Sequence, residues 1–152
     1  MGIFAVTWFA RSVEFFGGAG IFLIGSFGAS AVLVYGFPMG ELSQPRNLVG
    51  GHVLSAVVGV TVARYTPQAL GTIAPALAVG FAIMVMHATR TLHPPGGATA
   101  LIAIIGPPRV VQLGYAYVWA PVLMGTLVLL AVALLVNNLS ANPRRHYPNY
   151  WY

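Results

Sequence analysis

The chain has no cysteine, no lysine and no aspartate, and it carries few charges of either sign. Of its 152 residues, 6% are charged and 58% are hydrophobic, whereas soluble proteins carry about 25% charged residues. Without cysteine, the chain can form neither a disulfide nor a thiolate metal site. Seven basic and two acidic residues cannot cover a globule of this size in water, and we therefore expect lipid to cover much of its surface.

All seven basic residues are arginine, and the formal net charge is +5. The arginines stand singly at the ends of apolar segments, except for the adjacent Arg144 and Arg145. Nucleic acid requires a continuous basic face, and this pattern therefore argues against a nucleic-acid partner. It is typical of membrane-interface anchors, of attraction of an anion, or of both.

Several apolar segments approach the length of about 20 residues that a bilayer requires. The helices that we predict from them are 20–37, 48–63, 69–88 and 113–139, with a short run at 98–106. Residues 3–10 are too few to span, and so the first helix is truncated or begins outside this sequence. Arg11 and Glu14 either pair on one helix face or, as we favour, lie in a loop at the membrane surface.

The segment 48–63 carries small residues at four-residue intervals: Gly51, Ser55, Gly59 and Ala63. Such a stripe lets two helix backbones approach closely in lipid. The stripe predicts packing inside one subunit, and an interface between subunits is the alternative.

A short motif occurs twice, 69 residues apart, as Gly-Ala-Ser-Ala-Val-Leu-Val at 28–34 and Gly-Ala-Thr-Ala-Leu-Ile-Ala at 97–103. Pro38 and Pro107 match at the same offset. Each apolar run that follows the motif is about half as long as the hydrocarbon core, which predicts paired re-entrant half-helices. The alternative is that 20–37 is an ordinary kinked spanning helix. With half-helices, each repeat would contain an even number of crossings, and we expect the repeats to be parallel; if the half-helices instead cross fully, the number is odd and the repeats are inverted.

The stretch that most strongly indicates a functional site is His93-Pro-Pro-Gly-Gly-Ala-Thr99. Prolines suit a first helical turn, and the glycines let a ligand approach the backbone. Free N–H groups and the helix dipole then favour an anion, with Thr99 and Ser30 as further donors. The alternative is a tight turn that only redirects the chain.

Arginines and histidines stand near these motifs. We predict that Arg46 and Arg90 draw an oxoanion toward the half-helix N-termini, although each is equally compatible with an interfacial anchor. His52 and His93 either hydrogen-bond the ligand, relay a proton, or only pack helices together. The complete predicted ligand-binding set is Gly28, Ala29, Ser30, Arg46, Asn47, His52, Arg90, His93, Gly96, Gly97 and Thr99.

Catalytic and metal chemistry find little support in the sequence. The histidines lack regular ligand spacing, and the two glutamates lie apart at Glu14 and Glu41, which argues against a metal site. The hydroxyl residues have no evident base and carboxylate partner. We therefore expect no enzyme, no catalytic residue, no metal and no cofactor.

Three blocks of sequence resemble the HPP family of integral membrane proteins. They are Arg90 to Ala103, which contains His-Pro-Pro-Gly-Gly-Ala, Gly25 to Tyr35, and Gln44 to Ala56. The resemblance runs from about Phe22 to the tail at 137–152. It implies about four transmembrane helices, and plastid and cyanobacterial relatives are implicated in nitrite transport. The short N-terminal helix and the lack of a CBS-type regulatory domain depart from some relatives.

The sequence therefore predicts an all-α integral membrane protein of one domain, residues 1–152. It would contain about four transmembrane helices and two half-helices, in repeats at about 1–66 and 67–140, followed by a polar-aromatic tail, 141–152. The predicted function is a transporter or channel for a small inorganic anion, with nitrite implied by the resemblance. The alternative is a non-transporting structural or accessory subunit of a membrane complex.

The expected partners are the lipid bilayer, a small anion and a homo-oligomer or a larger membrane complex. The expected location is a bacterial inner membrane or a plastid or cyanobacterial membrane. We expect one group of arginines on one side of the membrane, Arg46, Arg90 and Arg109, and another on the opposite side, Arg64, Arg144 and Arg145. The C-terminus is expected to be cytoplasmic.

Overall fold

A computed structural model describes residues 2–15 and 24–152 of the chain. Within these ranges every regular element is a helix. In chain order the helices are α1 Gly2–Phe15, α2 Gly25–Gly36, α3 Arg46–Tyr65, α4 Ala74–Ala88, α5 Pro94–Ile105, α6 Pro108–Val111 and α7 Val118–Asn138. Short turns of 3-10 helix occur at Glu41–Ser43, Gln68–Leu70 and Pro143–Arg145. The first part of the predicted segment 20–37 and the side chain of Glu14 lie outside the described part of the chain.

Two of the described helices are long and apolar enough to cross a membrane. They are α3, with 20 residues, and α7, with 21 residues, each about 30 Å long at about 1.5 Å per residue. Helices α2, α4 and α5 are apolar but shorter. Helix α4 begins later than predicted, because Pro75 occupies its first turn and the preceding residues form the separate turn Gln68–Leu70.

Helices α3 and α5 pack against each other in parallel. A Cβ atom added at Gly51 would lie 2.5 Å from the Cβ of His93, and one added at Gly59 would lie 2.5 Å from the carbonyl oxygen of Ala100. Gly51, Ser55 and Gly59 therefore face α5 of the same chain, whereas Ala63 is exposed. This confirms the prediction that the stripe serves internal packing.

The parallel packing places the two ends of α5 at opposite ends of α3. The turn 89–93 lies beside the start of α3, whereas Arg64 at the end of α3 lines a cavity of about 210 Å³ with Val110 and Gln112, after α5. The prediction that Arg90 and Arg109 share one side of the membrane is therefore wrong. It assumed that the short helix turns back, but α5 continues alongside α3.

The C-terminal tail packs at the end of the bundle where α3 begins. The Tyr147 hydroxyl donates to the carbonyl oxygen of Ser43 at 2.8 Å, and Arg145 Nη2 donates to the carbonyl oxygen of Tyr35 at 2.6 Å. We call this end, with the tail, the loop 37–45 and the turn 89–93, the tail end, and the end with Arg64 and α6 the far end. Arg144 and Arg145 thus lie with Arg46 and not, as predicted, with Arg64.

Helices α2 and α5 run antiparallel. Ser26 in the first turn of α2 lies 2.8 Å from Thr99 in the middle of α5, and Ser30, one turn later, lies 2.8 Å from His93 just before α5. Parallel repeats would have given these two motif helices the same direction. The antiparallel direction is the one that the alternative with an odd number of crossings predicts.

The last predicted helix, 113–139, is interrupted. Ala120 has non-helical φ and ψ values of −139° and 118°, because the residue before a proline is driven out of the helical region. The regular part of α7 therefore begins after Pro121. It returns toward the tail end, where Asn137 Nδ2 donates to the carbonyl oxygen of Val34 at 3.0 Å.

Candidate functional site

Five polar side chains are buried together where α2, α3 and α5 meet. We call Ser26, Ser30, His52, His93 and Thr99 the polar cluster; Ser26 is 2% exposed and the other four are 0% exposed. Aliphatic and aromatic residues surround it, and the ring of Phe27 packs edge-on against His52 with centroids 5.4 Å apart. Buried polar groups are stable only when they are hydrogen-bonded.

The local sequence explains how each member of the polar cluster is placed. His93 stands just before Pro94, with extended φ and ψ values of −141° and 103°, as expected for a residue that precedes proline. Ser26 and Ser30 are four residues apart and therefore share one face of α2. His52 belongs to the same helix as the small residues that hold α3 against α5.

The cluster forms one continuous chain of hydrogen bonds. Ser30 Oγ lies 2.7 Å from His52 Nε2 and 2.8 Å from His93 Nε2. On its other side, His52 Nδ1 lies 2.6 Å from Thr99 Oγ1, and Thr99 Oγ1 lies 2.8 Å from Ser26 Oγ. The two imidazole rings are 5.0 Å apart between centroids. Ser30 thus connects the two histidines, and His52 connects Ser30 to Thr99.

The backbone fixes one end of this chain. His93 Nδ1 lies 2.8 Å from the carbonyl oxygen of Leu42, in the loop 37–45. A carbonyl oxygen only accepts hydrogen bonds, and Nδ1 of His93 therefore carries a proton. In a neutral imidazole the other nitrogen, Nε2, is then an acceptor that faces Ser30.

Two predicted ligand-binding residues instead hold the turn before α5. Arg46 Nη2 donates to the carbonyl oxygen of Thr89 at 2.6 Å, and Asn47 Nδ2 donates to the carbonyl oxygen of Leu92 at 2.8 Å. The guanidinium of Arg46 thereby satisfies a carbonyl at the end of α4, where cations are favoured. Arg46 was predicted to draw an oxoanion toward a half-helix N-terminus, but its guanidinium bonds the turn before α5.

Arg90 is exposed in the same turn and has a left-handed backbone, with φ of 56°. The N–H of Arg90 donates to the carbonyl of His87 at 3.2 Å, and that of Thr91 to the carbonyl of Met86 at 2.9 Å. These bonds form a Schellman motif, in which glycine usually occupies the left-handed position. An arginine there stores roughly 1 kcal/mol of strain.

The N-terminus of α5 offers fewer donors than the sequence analysis assumed. Pro94 and Pro95 have no N–H group, and the N–H of Gly96 donates to the carbonyl oxygen of His93 at 2.8 Å. Gly96 is buried against α3, where an added Cβ would lie 2.8 Å from Ser55 Oγ. Ser55 Oγ is itself buried and has no hydrogen-bond partner among the described residues.

The structure brings together only some of the predicted ligand-binding residues. Ser30, His52, His93 and Thr99 lie in the polar cluster, and Gly96 and Gly97 lie beside it at the start of α5. Gly28 and Ala29, by contrast, are exposed on α2. They belong to the same motif as Ser30, but neighbouring residues of a helix point in different directions.

Three further participants were missed in the sequence analysis. They are Ser26, the carbonyl of Leu42, and Tyr117, whose hydroxyl donates to the carbonyl oxygen of Thr99 at 3.1 Å. The four-residue spacing between Ser26 and Ser30 was a usable signal for the first. Nothing in the local sequence indicates the other two, because both depend on how distant segments pack.

A groove of about 460 Å³ runs between α4 and α5 beside the cluster. Apolar groups line it, among them Val79, Met86, Pro94 and Leu101. These walls suit lipid or an apolar side chain better than an anion, and the groove is therefore distinct from the polar cluster.

Comparison with known proteins gives a family for the chain. Residues 1–148 match the family described as HPP, transmembrane region. Two transmembrane proteins of Dictyostelium discoideum are 49% and 48% identical over 132 and 134 residues, which is 86% and 87% of this chain. These alignments cover 45% and 42% of the relatives, and the chain thus spans less than half of their length. No solved structure matches the chain significantly. The chain belongs to the HPP family of integral membrane proteins.

Proposed function

We propose that this membrane protein transports a small inorganic anion, and that nitrite, the substrate implicated for plastid and cyanobacterial HPP relatives, is the first ligand to test. The observation that supports this proposal is the polar cluster, in which two imidazoles and three hydroxyls are buried in an apolar helix bundle. Ionisable groups inside a membrane are expensive, and they usually mark ion or proton pathways. We place the protein in a bacterial inner membrane or in a plastid or cyanobacterial membrane.

The arrangement of the two motif helices supports this proposal. We infer that the longer helices α1, α3, α4 and α7 cross the bilayer and that the shorter α5 also carries the chain from the tail end to the far end, with α2 as its antiparallel partner. Gly25–Gly36 and Pro94–Ile105 are separated by the same 69 residues as the sequence motif at both their first and last positions. They run antiparallel, and Ser30 and Thr99, which are equivalent in the two motifs, lie on opposite sides of His52 and both bond it. Inverted pairs of interrupted helices often form the substrate site of transporters.

The charges suggest an entry route at the tail end. Arg90 is exposed on the turn before α5, and Arg46 is half-buried beneath it. Positive charge at a mouth raises the local concentration of anions. Because the prolines remove donors from the first turn of α5, the imidazole and hydroxyl groups of the cluster take over the role that the sequence analysis gave to backbone N–H groups.

One observation favours the alternative, a structural or accessory subunit that does not transport. The groups of the polar cluster bond one another directly, and Arg46 bonds a carbonyl oxygen. A scaffold would fill its centre in this way, whereas a transporter must exchange some of these bonds for bonds to its substrate. The two functions therefore differ in one respect: a transporter must break hydrogen bonds within the cluster to bind its substrate, and a scaffold keeps them.

Flux measurements separate the two functions. Wild-type protein in proteoliposomes should admit nitrite faster than protein-free vesicles, with formate and chloride tested as competitors. Arg90→Gly should lower the flux about three- to tenfold, because one attracting charge is lost from the entrance. This variant should remain folded, since φ of 56° suits glycine.

Arg109→Ala is the matched control, because it removes an exposed arginine from the far end. It should leave flux within about twofold of wild type if entry from the tail end limits the rate. Absence of flux for nitrite, formate and chloride, with folded protein, would exclude the transport proposal and favour the accessory subunit. Equal losses in both arginine variants would remove Arg90 from the entry route.

A further inference from the structure

We infer that the polar cluster stores one proton and that its loading couples proton uptake to anion transport in a one-to-one ratio. The inference rests on the proposed function for the coupling and on the hydrogen-bond geometry alone for the proton. The argument begins with the number of protons that the cluster can hold.

In the neutral cluster, the carbonyl of Leu42 determines the direction of the bonds between His93 and Ser26. His93 Nδ1–H donates to this carbonyl, so His93 Nε2 must accept from Ser30, whose 2.8 Å bond to this nitrogen is shorter than the 3.2 Å bond of Ser30 Oγ to the carbonyl of Ser26. The one hydroxyl proton of Ser30 is then used, and His52 Nε2 must donate to Ser30 Oγ. Nδ1 of His52 consequently accepts from Thr99 Oγ1, and the hydroxyl bond in which Thr99 can donate to Ser26 must run from Ser26 to Thr99 in this neutral state. The two neutral histidines are therefore opposite tautomers.

One added proton reverses these bonds and leaves every group of the cluster matched except the Ser26 hydroxyl proton, which has no acceptor within the cluster. In this exchange Ser26 takes up the added proton and passes its own proton to Thr99, and Thr99 passes one to His52 Nδ1. His52 releases its Nε2 proton to Ser30, and Ser30 releases one to His93 Nε2. Every hydroxyl ends with one proton, His52 ends as the other neutral tautomer, and the added charge resides on the His93 imidazolium.

The surroundings of His93 contain few other charges. The charged or titratable groups on the segments packed around it are Tyr35, Glu41, Arg46, His52, Arg64, Tyr65, His87, Arg90 and Tyr117. Glu41, His87 and Arg90 are exposed, and Arg46 bonds the carbonyl of Thr89. An imidazolium at His93 therefore has no described carboxylate bonded to it.

A small anion supplies the missing negative charge. His93 immediately precedes α5, whose N-terminus is itself a positive end of a helix dipole. An imidazolium there favours an anion at this end, and the anion in turn stabilises the imidazolium. A proton and an anion thus enter together as an electrically neutral pair, which lowers the electrostatic penalty of crossing the bilayer.

Nitrogen NMR of ¹⁵N-histidine-labelled protein in lipid nanodiscs tests the proton directly, without any substrate. At neutral pH, His93 should carry its proton on Nδ1 and His52 on Nε2. On acidification, His93 should become doubly protonated and His52 should change tautomer at the same midpoint. His87 and His146, which are both exposed, provide reference resonances outside the polar cluster. Identical tautomers for His52 and His93, or separate protonation of both, would overturn the inference.

Two substitutions at one position show whether the hydroxyl chain connects the histidines. Thr99→Val keeps the shape of the side chain and removes the hydroxyl. In the protonated cluster, His52 Nδ1–H then has no acceptor. In Thr99→Val, the midpoint pH of the coupled protonation and tautomer change should be lower by about one unit. In Thr99→Ser, this midpoint should stay within about 0.3 unit of wild type. An unshifted midpoint in Thr99→Val would exclude the hydroxyl relay.

Flux under a pH gradient tests the coupling. Vesicles with an alkaline interior should accumulate nitrite, and a pH dye inside them should report one proton per nitrite above the background of protein-free vesicles. Ser30→Ala should lower the gradient-driven component at least about tenfold, because Ser30 joins the two histidines, whereas the exposed Ser140→Ala should not.

The two proposals fail in different ways. Nitrite flux that does not respond to the pH gradient would overturn the coupling and leave anion transport intact. Absence of flux for every anion would overturn transport, and with it the coupling, while the NMR titration would still decide whether the cluster stores one proton.

Discussion

At the scale of single residues, the sequence predicted which histidines and hydroxyl residues form the site, but it did not show which of their neighbours lie outside it. The motif at 28–34 was treated as one unit, yet only Ser30 of its first three residues points inward. The rotation of a helix about its axis decides this, and an apolar helix surrounded by lipid gives little sign of which face is inside. The serine and threonine hydroxyls did carry the signal, because polar side chains avoid lipid.

Ser55 illustrates what contact information adds. Its hydroxyl is buried without a partner among the described residues, and it faces Gly96 at the start of α5. Since an unpaired buried hydroxyl is unfavourable by about 1–3 kcal/mol, Ser55→Ala should be at least as stable as wild type. Thermal unfolding in detergent measures this, with Ser30→Ala as the contrast.

Ser30→Ala should unfold at lower temperature than wild type, because both histidines lose a partner. Equal losses of stability in the two serine variants would mean that Ser55 has a partner in solution. The polar cluster would then extend to the start of α5.

At the scale of helices, the sequence predicted α3 well and α7 less well. The stripe of small residues identified the face of α3 that packs in the chain. The interruption of α7 was missed because its position depends on Pro121, within an otherwise uniform apolar segment. The length of α5 was close to the prediction, but its direction was not, since local sequence does not show whether a short helix turns back.

The contact between α3 and α5 should be intolerant of added volume. A Cβ at Gly59 would lie 2.5 Å from the carbonyl oxygen and 2.8 Å from the Cα of Ala100. These are backbone atoms, and the two helices must separate to admit a methyl group. We therefore expect Gly59→Ala to lower the free energy of unfolding by about 1–3 kcal/mol.

Gly80→Ala is the matched control for this substitution. Gly80 also lies in the middle of a helix, and an added Cβ would meet nothing within 4 Å. Alanine should stabilise this position by about 0.5–1 kcal/mol. Denaturation in mixed micelles compares both variants with wild type, and equal effects in the two would argue against the close contact.

At the scale of the whole molecule, the six arginines that follow α2 divide unequally between the two ends. The tail end carries Arg46, Arg90, Arg144 and Arg145, whereas the far end carries Arg64 and Arg109. Arginines near the ends of membrane helices favour the cytoplasmic side. We therefore expect the tail end to be cytoplasmic, which agrees with the expected side of the C-terminus for a different reason.

Cysteine labelling tests this orientation on a background without native cysteine. We would place single cysteines at Ser140, near the tail end, and at Gln112, at the far end, both of which are exposed. In right-side-out vesicles, a membrane-impermeant maleimide should label Gln112→Cys. It should label Ser140→Cys only after permeabilisation, and the reverse pattern would invert the topology.

The distribution of arginines was the largest error of the sequence analysis. It followed from a single assumption, that the chain turns back after the short run 98–106. Every later segment changes sides when one crossing is added, so an error in one short helix propagates to the tail. The contacts of Gly51 and Gly59 with α5 show the direction of α5. The local sequence does not indicate them, because they join segments that are distant in the chain.

The bonds of Arg46 and Asn47 to the turn 89–93, together with the close contact at Gly59, have a mechanical consequence. They join α3, α5 and the turn between α4 and α5 into one rigid body, which carries His52, His93 and Thr99. Ser26 and Ser30 belong to α2, which this clamp does not include. Any rocking of α2 against the clamped pair would therefore break the bonds of the two serines and leave the bond between His52 and Thr99 intact. In such a motion, α2 would separate from α3 and α5 at the polar cluster.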